Sequence, residues 1–121
     1  MTNYIEAFEE LSDADRNIHR ALNSLKEEIE AIDWYHQRAA VTSESEIKTI
    51  LIHNQVEEIE HASMLLEWLR RHMEGWNENL KTYLFTTESI GEIETAEKSA
   101  KPEINGDLGI GKMRYLSPII V

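Results

Sequence analysis

From Ser12 to Glu74 the chain contains neither glycine nor proline. These are the two strongest breakers of helix, and good helix formers fill the interval, so it reads as helix almost throughout. Ile18, Leu22, Leu25, Ile29 and Ile32 recur at spacings of four and three, which marks one face of a long helix. β-Branched and hydroxyl residues cluster at Val41-Thr42-Ser43 and interrupt the run. Ser43-Glu44-Ser45-Glu46 has the form of a capping box, with Ser43 accepting from the third helical N–H and Glu46 reaching back. A second helix is therefore predicted from near Glu44 to about Met73, with Gly75 as its stop. Trp76 to Phe85 reads as a short third helix and residues 88–98 as a further one. Both prolines, Pro102 and Pro118, lie beyond that point. The expected organisation is an all-α domain over residues 1–98 and a flexible tail over 99–121.

A hairpin of two such helices leaves apolar surface uncovered. At 1.5 Å per residue each helix would be ~45 Å long. Two rods cannot wrap each other. Helix two carries one stripe of Ile52, Val56, Ile59, Ala62, Leu66, Leu69 and Met73. A second stripe, Ile47, Leu51, Asn54, Glu58, His61, Leu65 and Trp68, lies about 100° away. One stripe can pack on helix one. The other calls for a partner, and a second copy of the hairpin supplies it as a four-helix bundle.

Composition narrows the partners. Lys and Arg number 12 against 23 Asp and Glu, a formal net charge of −11. Such a chain is a poor ligand for a phosphate backbone and a good attractor of cations, which excludes nucleic acid as the expected partner. There is no cysteine, which excludes disulfides and thiolate metal sites. The first residues lack a basic stretch followed by an apolar one, and no apolar run approaches the ~18 residues of a membrane span. The expectation is a soluble cytosolic protein with no membrane partner.

The second stripe holds polar residues where a core should be apolar. Glu58 and His61 are three apart, on one helix face, spaced to bind one metal ion or two adjacent ones. Helix one has the matching anomaly: Glu28 stands in a stripe with Ala21, Leu25, Ile32 and Tyr35. Folding the hairpin at Ser43 brings Glu28 and Glu58 to the same height, ~22 Å from the turn at about 1.5 Å per residue. One hairpin thus offers two Glu and one His, and two hairpins about a twofold axis offer twice that. This is the ligand set of carboxylate-bridged di-iron bundles. Oxygen ligands with imidazole suit iron or manganese, and no basic residue stands in these stripes between Ala21 and Trp68 to pair the carboxylates instead.

Blander readings compete. A buried Glu and His can set register or oligomeric state in a metal-free oligomerisation module. The cluster could also bind metal without oxidising it. Asp33 and His36 repeat the spacing, but nothing puts them in an interior stripe. Glu27, Glu30 and Asp33 make an acidic ribbon that is either a solvated face or a cation path. Trp34 and Tyr35 read as packing residues, and His19, His53 and His72 as structural or surface residues.

Three blocks of the chain resemble one known family. Residues 27–38 (Glu27-Glu28-Ile29-Glu30-Ala31-Ile32-Asp33-Trp34-Tyr35-His36-Gln37-Arg38) look like the first helix of the encapsulated ferritins. Residues 52–62, followed by Leu66-Glu67-Trp68-Leu69-Arg70-Arg71, look like their second helix, and Thr82-Tyr83-Leu84-Phe85-Thr86 like the segment after it. The resemblance implies a half-ferritin that dimerises to build a ferroxidase centre and assembles as a ring of ten. It implies Glu28, Glu58 and His61 as iron ligands from both chains, with Tyr35 beside them. Glu27, Glu30 and Trp34 match residues lining the metal access route, where other divalent cations could also bind. The implied activity is oxidation of Fe(II) to Fe(III) at a di-iron site. The implied setting is an encapsulin nanocompartment, whose shell holds the enzyme as cargo and in which the mineral is stored.

The tail fits that resemblance. Gly106-Asp107-Leu108-Gly109-Ile110-Gly111-Lys112-Met113-Arg114 resembles the family's shell-targeting peptide, in which small residues let an extended strand lie in an apolar groove. Tyr115 to Val121 departs from the short basic finish expected there.

Overall fold

The structure is a computed structural model that describes residues 4–100. These residues are helical without a strand: a single 3-10 turn at Phe8–Glu10, then α1 (Asp13–Val41), α2 (Ser45–His72), α3 (Trp76–Tyr83) and α4 (Ile90–Ala100). The expected targeting peptide at 106–114, and the tail from residue 101 onward, lie outside the described residues. Residues 99 and 100, assigned to the tail from sequence, belong to α4.

α1 starts where its chemistry says it should. The Ser12 side chain caps it by accepting from the Asp15 N–H at 3.0 Å, and Asp13 and Asp15 place negative charge in the first turn. The 3-10 turn is tied to α1 by Arg16. Its guanidinium donates to the Phe8 carbonyl at 2.7 and 3.2 Å and lies 3.8 Å over the Phe8 ring.

The turn between the long helices differs from the capping box expected at Ser43. Glu44 is the N-cap of α2, its carboxylate accepting from the Ile47 N–H at 2.7 Å. A carboxylate at a helix N-terminus makes a short, charge-assisted bond and faces the positive end of the helix dipole, which a hydroxyl one residue earlier does not match. Thr42 holds the turn from the other side, accepting from the Glu44 N–H at 3.3 Å.

α1 and α2 pack along their length as an antiparallel hairpin. Gln55 on α2 donates to the Ile32 carbonyl on α1 at 3.3 Å, and His61 approaches Glu28. As numbers rise along one helix they fall along the other. Among the described residues only Ala21, Ala39 and Leu69 are buried apolar residues. Ile29, Ile52, Val56 and Ile59 are all exposed, Val56 by 58%. At 100° per residue, Ile52, Val56 and Ile59 lie about 100–160° from Glu58 on one flank of α2, while His61 lies ~60° from it on the other. The Glu58 stripe is therefore the one that faces α1. The lower half of the aliphatic stripe is left uncovered.

The chain divides into two compact units, one ending at Lys81 and the next beginning at Thr82, so α3 spans the boundary. In the first unit, Arg70, Arg71 and His72 put positive charge in the last turn of α2, and Gly75 adopts a φ of 101° just past it. Glu67 accepts from Arg70 and Arg71, both at 2.7 Å, while Arg70 also donates to Asn77 of α3 at 2.6 Å. These two guanidiniums hold the Glu67 carboxyl down at about 2. The pair thus contributes stability that is present above the unfolded carboxyl range and is lost as pH falls from about 4.5 towards 2. Glu67→Gln is expected to lower stability modestly at neutral pH, where the pair is fully charged, and to flatten that part of the acid-unfolding curve, read by circular dichroism across pH. In the second unit, Phe85 has a φ of 61°, which ends helical geometry and explains why α3 stops at Tyr83 rather than at Phe85 as the sequence suggests.

Candidate metal centre

Antiparallel packing brings Glu28 of α1 to the level of Glu58 and His61 on α2. One donor atom from each lies within 4.8 Å of the others, the only such group among the described residues. His61 Nδ1 is 3.0 Å from Glu58 Oε1 and 3.8 Å from Glu28 Oε1. The two glutamate side chains are one-quarter exposed and the imidazole about half, so the cluster is covered from the hairpin side and open on the His61 side.

The three groups perturb one another. The hydrogen bond it shares with Glu58 holds the Glu28 carboxyl above the ordinary value, helped by burial and by the charge of Glu58. Glu58 is held below it by hydrogen bonds from Glu28 and His61. The imidazole is raised, first by its bond to Glu58 and further by the carboxylates of Glu28, Glu58 and Glu60, against its own desolvation. The carboxyls and the imidazole thus favour positive charge between them. Two carboxylates and an imidazole converging in this way fit an iron or manganese ion.

The remaining residues singled out from sequence lie elsewhere. Tyr35 is half-buried two turns from Glu28 on the same face, with the Arg38 guanidinium 5.8 Å over its ring. Glu27, Glu30 and Trp34 are exposed and are not in the cluster. Glu27 and Trp34 sit ~100–120° around α1 from Glu28. The Asn23 amide donates to Glu27 at 3.4 Å. Trp34 lines a shallow pocket with Gln37 and Arg38. Asp33 accepts from Gln37 at 3.0 Å rather than engaging His36.

The other histidines are structural or surface groups, as expected. His19 stacks on Tyr4 with centroids 4.0 Å apart, His53 lies 3.2 Å from Glu57, and His72 stacks on Trp68 and donates to its carbonyl at 2.8 Å. Sequence reasoning overlooked Gln55, which donates to the backbone of α1 one turn from Glu58 and helps lock the two helices in register. Its place between Leu51 and Glu58 near the inward stripe was the available signal.

An antiparallel helical hairpin with Glu, Glu and His converging between its helices defines a ferritin-like protein. The chain belongs to the EncFtn-like family, which matches residues 3–87. It is 56% identical over 110 residues to a ferritin-like protein of Thermotoga maritima, covering 91% of this chain and 96% of that one. It is 44% identical over 120 residues to an encapsulated ferritin-like protein of Rhodospirillum rubrum, covering 90% and 86% respectively. The crystal structure of a Nitrosomonas europaea protein, 50% identical, superposes with a TM-score of 0.71 over 74% of this chain and 99% of that one. No helix among the described residues is long and apolar enough to cross a membrane.

Proposed function

We propose that this protein is a ferroxidase, oxidising Fe(II) to Fe(III) at a di-iron centre that two chains complete together. The observation that carries the reading is the convergence of Glu28, Glu58 and His61, open on one side. Three side chains supply only part of the shell that iron needs. A second hairpin across a twofold axis brings the same three again, four carboxylates and two imidazoles in all. Bound iron would supply the redox chemistry, giving up electrons to dioxygen. The residues hold the two ions adjacent, and their carboxylates balance the charge as it rises. Because Glu28 and His61 are both shifted towards their protonated forms, a cation competes with protons for them, and loading tightens as pH rises. We assign the access route to Glu27, Glu30 and Trp34 from the family resemblance, and a supporting place to Tyr35, which stands two turns from Glu28 on the same face of α1.

The partners follow from the same surface. The exposed aliphatic flank lies on the side of α2 opposite to His61, so the hairpin has two distinct faces to bury. Two different self-associating faces let a chain build a ring where the rotation between them closes, as the ring of ten implied by the resemblance requires. The family relation to an encapsulated ferritin-like protein supports residence in an encapsulin compartment in the cytoplasm, with residues 106–114 as the address.

Aerobic addition of iron(II) tests the activity. Ferric absorbance is expected to grow well above the buffer rate. Binding without oxidation would leave a metal buffer, and neither would leave a helical oligomerisation module. Ending the chain after Asn105 is expected to leave iron oxidation intact and to abolish co-purification with co-expressed shell protein. Packaging at the normal level would remove the tail as the address.

A further inference from the structure

α4 carries an apolar side that the described residues leave open. Ile90, Ile93, Ala96 and Ala100 fall within about 60° of one line along the helix at 100° per residue. Ile90 is 71% exposed. Ile93, Ala96 and Ala100 line an open groove of about 550 Å³ whose wall also includes Thr82, Thr86, Glu88, Glu92 and Glu97. The groove thus has its apolar residues on the C-terminal half of α4, edged there by Glu97, and the carboxylates of Glu88 and Glu92 towards its start.

The chain that leaves Ala100 has the complementary order. Leu108 and Ile110 come first, then Lys112 and Arg114, and residues 108–121 contain no acidic residue. Between them, Pro102 and Asn105-Gly106 are turn-forming residues placed where the chain would have to reverse.

We propose that residues 108–114 dock in the groove of their own α4, with Leu108 and Ile110 over Ile93, Ala96 and Ala100 and with Lys112 and Arg114 beside Glu92 and Glu88. The spacings agree. Ala100 to Glu92 is about 12 Å along a helix. Leu108 to Lys112 is about 13 Å in extended chain, and Arg114 lies ~7 Å further, near the level of Glu88. The tether makes the encounter intramolecular, so even a weak groove is well occupied at high effective concentration. Docking would mask the residues read above as the shell address until a tighter groove competes for them. The docking itself does not depend on that reading, and its test contains no shell protein.

The test is limited chymotrypsin cleavage after Tyr115 in the full chain, read by mass spectrometry as loss of residues 116–121. A docked tail is expected to be cut at least about five-fold more slowly than a free synthetic peptide of residues 101–121, since cleavage tracks the undocked fraction. Glu88→Lys with Glu92→Lys should raise the rate towards that of the peptide, and Lys112→Glu with Arg114→Glu should do the same. Combining all four changes should restore protection, which a variant that merely unravels α4 cannot do. Glu88→Gln with Glu92→Gln, its helicity checked by circular dichroism, should also lose protection. Cleavage of the parent at the peptide rate, or equal rates in all the variants, would overturn the proposal. Protection that disappears on dilution would overturn it in favour of docking on another copy.

Discussion

His61→Ala and Glu58→Ala are each expected to abolish most iron oxidation while leaving the metal-free protein as stable as the parent or more so. The two effects have one cause. Glu28, Glu58 and His61 converge within 4.8 Å, and without a cation the Glu28 carboxyl is held above its ordinary range by Glu58 beside it. Removing a partly buried polar group that serves function rather than packing relieves that cost. The group removed is partly exposed in each case, so the stability change should be small. The loss of oxidation should exceed the ~10–100-fold that residues merely supporting metal ligands command, because in the proposed centre these groups would touch the metal. Initial rates of ferric absorbance and urea unfolding of chelated protein give the two readings. Oxidation at the parent rate in either variant would remove the residue from the site.

A charge on the aliphatic flank should separate assembly from catalysis. Val56→Glu is expected to convert the proposed ring into smaller species, dimers above all, that still oxidise iron. Val56 is 58% exposed beside Ile52 and Ile59, on the flank of α2 turned away from His61. Burying a carboxylate in an apolar contact costs several kcal/mol, enough to empty an interface of ordinary strength. The face bearing Glu58 and His61 lies on the other side of the helix and keeps its packing. Mass measured by light scattering, alongside oxidation rate per chain, decides the matter. A parent-sized assembly would mean that the flank is not an interface. Loss of oxidation together with loss of assembly would place the flank in the catalytic dimer.

Much of this was legible in residue order because helices write themselves locally. The Gly- and Pro-free run, the break at Thr42 and the heights of Glu28 and Glu58 follow from a rise per residue that does not depend on context. The Glu58–His61 pair was visible for the same reason. Its meaning came from standing in an apolar stripe, and its resemblance to known helices added the family.

Other features required the folded chain. Two stripes on α2 were equally good candidates to face α1, and periodicity treats them alike. Packing decided for the one bearing Glu58: there His61 approaches Glu28, and Gln55 reaches the Ile32 carbonyl. The cap moved from Ser43 to Glu44 because a single rotamer choice, not a pattern, determines which oxygen meets the Ile47 N–H. The opposite shifts of Glu28 and Glu58 depend on a distance between side chains from two helices. Sequence by itself determined which residues stand at one level of the hairpin, since rise per residue is a property of the backbone. Only the tertiary structure decided which of them touch and which flank stays open, since both depend on how two helices turn about their own axes when they pack.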